Sequence, residues 1–144
     1  VPFVINQNRY SILDRTVEKN GLKETAAKLG KGIITFSPLA QGRLTDRYLH
    51  GIPADSRVHT DGRFLKESDL TPKLLARIAK LNDLAAARGQ TLAEMALAWL
   101  LAKEEITSVL IGASRPSQIL DNIKAVENTT FTAEELAEID RLSV

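Results

Sequence analysis

Gly32-Ile33-Ile34-Thr35-Phe36-Ser37-Pro38-Leu39-Ala40-Gln41-Gly42 decides how this chain is read. Five residues rich in β-branched and aromatic side chains make a strand, and Ser37-Pro38 stops it. On its N-terminal side, Leu22, Ala26 and Leu29 recur at helical spacing over Gly21–Leu29, and Gly30 suits a left-handed helix end. Earlier still, Phe3 to Asn6 reads as a first strand that begins at once, in Val1-Pro2-Phe3-Val4-Ile5. Such an opening points to a fragment, or to a chain whose beginning is missing.

Downstream, Ser37 to Leu70 is long and irregular, with four arginines and both histidines. A connection of that length in a compact domain is usually functional or disordered. Thr71-Pro72 starts a helix whose inner face is Leu74, Ile78, Leu81 and Ala85. Thr91-Leu92-Ala93-Glu94 is a capping box ahead of the stripe Leu92, Met95, Ala96, Trp99 and Leu100. Thr107 to Ile111 reads as a third strand. Ser114-Arg115-Pro116 opens a helix with Ile119, Ile123 and Val126 expected inward. A second capping box at Thr132–Glu135 starts a trailing helix with Leu136, Ile139 and Leu142 inward.

Strands separated by helices imply a parallel sheet with right-handed crossovers. Three strands cannot cover both faces of such a sheet, and a closed eight-stranded barrel needs about 200 residues or more. The 144 residues therefore read as an α/β fold: the C-terminal part of a (βα)8 TIM barrel, about its last three βα units plus a trailing helix. A small open three-layer sheet is the alternative architecture.

Composition narrows the function classes. A net charge of +1 gives no electrostatic case for nucleic acid or an anionic membrane. The longest strongly apolar stretch, Met95 to Ala102, is far short of the roughly 18 residues of a membrane span. With no cysteine, disulfides and thiolate chemistry are excluded, and a reducing cytoplasm fits. No Ser-His-Asp, Walker or zinc signature is present. The two loop histidines read as solvated, and Asp14 with Glu18 as a solvated helix face. Neither Tyr10 nor Tyr48 has a Lys or Asp at a spacing that would activate it.

In parallel α/β folds, ligands sit where strands end. The amides of Asn6-Gln7-Asn8 could meet a carboxamide, or could satisfy their own turn. Phe36 could stack on a flat heterocycle, or be a core ring before a proline turn. Ser37, Leu39, Gln41 and Gly42 offer a hydroxyl and backbone N–H groups to phosphate oxygens. Gly112-Ala113-Ser114-Arg115, followed by Gln118 and Asn122, could hold phosphate at a helix start, or be a cap with a solvated Arg. Arg43, Arg47, Arg57 and Arg63 could form a basic flap, or be solvated.

At these strand ends the chain resembles the aldo-keto reductases, nearest to bacterial L-glyceraldehyde-3-phosphate reductases and to potassium-channel β subunits. The carrying segments are Gln7-Asn8-Arg9-Tyr10-Ser11-Ile12-Leu13-Asp14-Arg15, Phe36–Thr45, Gly51-Ile52-Pro53 with Ser56-Arg57, and Ser108–Arg115. Similarity runs nearly end to end, so residues 1–144 are expected to be a partial barrel that binds NADP(H). The resemblance implies that Gln7 bonds the nicotinamide carboxamide and that Phe36 stacks on its ring. Ser37, Leu39, Gln41 and Gly42 become pyrophosphate contacts, with Arg47 near the phosphates. Arg57 becomes an adenine or 2′-phosphate clamp, and Ser114, Arg115, Gln118 and Asn122 the adenosine and 2′-phosphate grip. Pro38 and Gly112 complete the set. The family's catalytic Asp, Tyr, Lys and His have no match here.

The implied activity is NADP(H)-dependent reduction of small aldehydes and ketones, with this chain supplying the cofactor part and lacking the catalytic tetrad. A homo-oligomer is possible on the same reading. The alternatives are an NADP(H)-binding regulatory subunit and an inactive barrel fragment.

Overall fold

The computed structural model describes residues 2–143. Its sheet holds β1 (Ile5–Arg9), β2 (Gly32–Phe36) and β3 (Ile106–Val109) in that spatial order, every neighbouring pair parallel. Between β1 and β2 run α1 (Thr16–Lys19) and α2 (Leu22–Lys28). The long connection from β2 contains 3-10 turns and the single-turn α3 (Arg57–Thr60), then leads into α4 (Pro72–Ala87) and α5 (Leu92–Leu101). After β3 come α6 (Pro116–Asn122), a 3-10 turn over Ile123–Glu127 and α7 (Ala133–Leu142).

The helix starts follow their caps. Thr71 Oγ1 accepts from the Leu74 N–H, and Thr91/Glu94 and Thr132/Glu135 form reciprocal capping boxes. Among the described residues, helices cover one face of the sheet. There Ile33 and Ile106 pack with Ile78, Leu81, Met95, Trp99 and Leu100, all buried. On the other face, register aligns Ile5, Gln7 and Arg9 with Gly32, Ile34 and Phe36. Ile5 is 42% exposed there, Gln7 and Arg9 are exposed, and Ile34 and Phe36 are half-buried. A sheet covered on one face with two open edges matches three consecutive βα units of a barrel.

Several expectations are corrected. The first strand is Ile5–Arg9, so Asn6, Gln7 and Asn8 lie inside it. Phe3 and Val4 are exposed, and Val1 lies outside the described residues. The apolar lead-in flanks an open edge, where no strand pairs β1 on its other side among the described residues. The third strand begins at Ile106 and stops at Val109, although the Leu110 N–H still reaches Thr35 O. Leu29 is 61% exposed beyond the end of α2. Ile119, Ile123 and Val126 point outward, and the buried residues of that segment are Asn122 and Ala125. The stripe has helical spacing, but no described element packs over it. Leu136 is 37% exposed, while Ile139 and Leu142 are buried.

Among the described residues, no helix is long and apolar enough to cross a membrane, and no group of three His, Cys, Asp or Glu side chains could hold a metal.

Candidate functional site at the strand ends

Parallel pairing puts the C-terminal ends of all three strands on one side of the molecule. Arg9 is level with Phe36, and Thr35 with Val109. The Tyr10 N–H donates to Phe36 O and the Leu110 N–H to Thr35 O, so the ladder runs to the tips. The turns after β2 and β3 are therefore neighbours.

The turn after β2 is built under strain. Ser37, Ala40 and Gln41 all have positive φ, at 53°, 49° and 64°. Each such non-glycine residue costs of order 1 kcal/mol or more, and strain of this kind gathers at ligand sites. Gly42, at φ 85°, takes the one such position where no side chain must be accommodated. The Gly42 N–H is engaged by Leu39 O, so it is not the free phosphate donor the sequence suggested. Gln41 Nε2 donates to Ser37 Oγ at 3.4 Å, and Gln41 Oε1 accepts from Arg57 at 2.7 Å. Phe36 is half-buried, and the Arg9 guanidinium lies 5.7 Å from its ring centroid. The ring therefore already carries a flat cation near it.

The segment 37–70 is a folded flap. Tyr48, Leu65 and Leu70 form a satellite core with Ile52, Val58 and Leu75, and the Tyr48 hydroxyl meets Ser56 Oγ at 2.9 Å in a buried hydrogen bond. This core fixes where Arg47, Asp55 and Arg57 emerge. Arg47 donates to Asp55 at 2.8 Å. Its Nε is buried and has no partner among the described residues, an unmet donor of the kind that costs about 1–3 kcal/mol.

The turn after β3 comes to the same flap. Arg115 approaches the second oxygen of Asp55 at 3.5 Å. Gln118 Oε1 accepts from the Ser114 N–H at 2.8 Å, from Ser114 Oγ at 3.2 Å and from the Arg115 N–H at 3.2 Å. Pro38 is buried below the β2 turn, and Leu39 packs against the cluster of Leu97, Ala98 and Ala125 beside Ile111. Gly112 is exposed, with nothing close enough to crowd a Cβ.

The structure thus joins Ser37, Gln41 and Arg57 in one chain of contacts. It joins Arg47 with Arg115 through Asp55, and Ser114 and Arg115 with Gln118. Two residues stand apart. Gln7 sits on the bare face of β1, while Asn6 and Asn8 bond each other on the opposite face. Asn122 lines a crevice of about 200 Å³ beside Ser108, Val109 and Ile111. Sequence reasoning passed over Asp55, because nothing in its spacing sets it apart from the other acids of that segment, Asp46, Asp61, Glu67 and Asp69.

The tyrosines are accounted for elsewhere. Tyr10 is fully buried with its ring edge toward Trp99, and its hydroxyl donates to Glu18. Burial and that bond push the phenol well above its ordinary range. Glu18 is no solvated residue: it takes Arg15 and Tyr10 and lies near Lys103. Burial alone would raise its carboxyl, but bonds from Arg15 and Tyr10 outweigh that and hold it below the usual carboxylate range. Burial draws the Lys103 ammonium down.

The aldo/keto reductase family model matches residues 1–144. Two L-glyceraldehyde 3-phosphate reductases, from Escherichia coli O157:H7 and Escherichia coli strain K12, are each 49% identical over 146 aligned positions. These alignments cover 98% of this chain but only 42% of either relative. A crystal structure of a thermostable aldo-keto reductase, solved with the inhibitor epalrestat, superposes with a TM-score of 0.67 at 29% identity. It covers 98% of this chain and 40% of that one.

Proposed function

The chain belongs to the aldo/keto reductase family, and we propose that it forms the NADP(H)-gripping part of a cytoplasmic carbonyl reductase. The observation that carries this reading is the convergence of the turns after β2 and β3, with Phe36 beside one and Arg47, Arg57 and Arg115 gathered around both. The donor set suits the group: a half-buried aromatic ring, a strained turn with a hydroxyl, and three guanidiniums, one with a buried unmet N–H.

When bound, the dihydronicotinamide supplies a hydride to a carbonyl carbon. The chain's own residues bind and orient. Phe36 presents its face to the ring, and Ser37, Pro38, Leu39, Gln41 and Gly42 form the wall under the pyrophosphate. Arg47 stands near the phosphates on the flap, on the side that Asp55 links to Arg115. Arg57, Arg115, Ser114 and Gln118 hold the 2′-phosphate end, with Gly112 opening the turn. Gln7 reaches the carboxamide from the bare face, and Asn122 meets the adenosine from its crevice. Guanidiniums at a phosphate monoester favour NADP(H) over NAD(H).

The substrate class we infer is a small, phosphorylated aldehyde, on the strength of the reductases that share 49% identity with this chain. No tyrosine of this chain is free to protonate the product oxygen: Tyr10 is committed to Glu18 and Tyr48 to Ser56. The proton donor then belongs to a part of the reductase beyond these residues, and the chain alone binds without turning over. Titrating NADPH and NADH against the protein, followed by nicotinamide fluorescence and calorimetry, tests the reading. NADPH should bind at least about tenfold more tightly; equal affinities, or no binding, would overturn it.

A further inference from the structure

Every group assigned above to the 2′-phosphate already faces an oxygen of the chain itself. Arg57 holds Gln41 Oε1, and the N–H groups of Ser114 and Arg115 hold Gln118 Oε1. Those two acceptors are neutral. Asp55 is different, because it places a negative charge between two arginines from separate segments, one oxygen 2.8 Å from Arg47 and the other 3.5 Å from Arg115. Its side chain is 61% exposed and free to leave, whereas the Arg47 it holds is only 34% exposed, and the Arg47 Nε beside that pair is buried and unpartnered.

We propose that Asp55 is an internal stand-in for a phosphate monoester and sets the selectivity of this end of the site. In the free protein its carboxylate keeps Arg47 and Arg115 turned toward each other across the gap between flap and β3 turn. A dianionic phosphate carries more charge and one more acceptor oxygen, so it displaces the carboxylate and meets the remaining donor. An adenosine end lacking that phosphate leaves Asp55 in place. The same carboxylate therefore lowers affinity for every anion at this point, and a weak anion cannot overcome it. The proposal rests on the cofactor reading.

The test is calorimetric titration of adenosine 2′,5′-bisphosphate and of 5′-AMP into the unmodified protein and Asp55→Asn, at low and at physiological ionic strength. Asn keeps the shape and removes the charge, and Asp55→Ser repeats the test with a different side chain. Loss of two exposed ion pairs should tighten the bisphosphate by about 2- to 10-fold. The gain should shrink with added salt, leave 5′-AMP within about twofold, and fall away in an Arg115→Ala background. Bisphosphate binding that is unchanged in both variants would overturn the proposal. Weaker binding would do so too, by making Asp55 a strap that closes over the ligand. An equal gain for both probes would reduce it to a general field effect and likewise overturn it. If the unmodified protein binds neither probe, the cofactor reading fails as well; if it binds the bisphosphate and the variants bind it no tighter, only the role of Asp55 fails.

Discussion

Replacing Arg57 by alanine separates the two halves of the binding argument. The Arg57 guanidinium touches one side chain, Gln41 Oε1 at 2.7 Å, from an exposed position on the single-turn α3. Removing it strips no buried contact, so fold stability should move by less than about 0.5 kcal/mol. A charge-assisted bond to a 2′-phosphate oxygen is worth about 1.5–3 kcal/mol. The exposed bond to Gln41 that binding must break offsets about 0.5–1 kcal/mol of that. The net loss is about 1–2 kcal/mol, which is roughly 5- to 30-fold in the NADPH dissociation constant. NADH lacks the phosphate and should change less than about twofold. The assay is fluorescence titration of both cofactors against the variant and its parent, with a urea melt to verify the fold. Equal losses for both cofactors would place Arg57 on the shared adenine or pyrophosphate and refute the 2′-phosphate assignment.

Two further predictions concern the frame beneath the site. Arg88 is almost wholly buried, stacks 3.7 Å from the Phe131 centroid, pairs with Glu135 and donates to the Thr130 carbonyl. Arg88→Ala should cost about 2–4 kcal/mol in urea denaturation, because it leaves the part-buried Glu135 carboxylate with only its capping bond from the Thr132 N–H and takes the guanidinium from the Thr130 carbonyl; a cost below about 1 kcal/mol would mean that water replaces it. For Glu18, the folded carboxyl lies below its unfolded range, so its contribution is full above about pH 4.5 and is lost as pH falls through the folded value. Glu18→Gln should then be less stable than the parent by about 2 kcal/mol at neutral pH, with the gap closing in acid; a gap that holds constant down to the acid transition would exclude the linkage.

Much of this fold could be read from spacing alone, and the failures share one cause. Capping boxes at Thr91 and Thr132 and the strand Gly32–Phe36 lie where the pattern put them, since caps and strand stops are local chemistry. Ile119, Ile123 and Val126 show a proper helical stripe and still face outward. Periodicity reports that a face wants cover, but it says nothing of whether these residues supply it. The first strand slid by two residues for a related reason: at an open edge, polar Gln7 and Arg9 serve the ladder as well as Phe3 and Val4 would. At the site, residue types identified the arginines and Phe36. Nothing in one dimension could reveal that Asp55 would join Arg47 to Arg115, because that contact spans the flap and the β3 turn. Glu18 was misread because its partners, Tyr10 and Lys103, come from β1's end and from beyond α5.

The parallel sheet also dictates an order of assembly. Ile34 pairs with Ser108 across the entire flap and the helices α4 and α5, so that closure is the most distant in the sheet and entropically the most demanding. Parallel pairings of this kind make for slow folding. The α4–α5 pair, with strong local caps and a shared apolar seam, can form early and offer a platform. β3 then arrives last and brings Arg115 with it. A nascent chain would therefore hold β2 with one side unpaired until Ile106–Val109 had emerged, and that interval is when it most needs shielding from other chains.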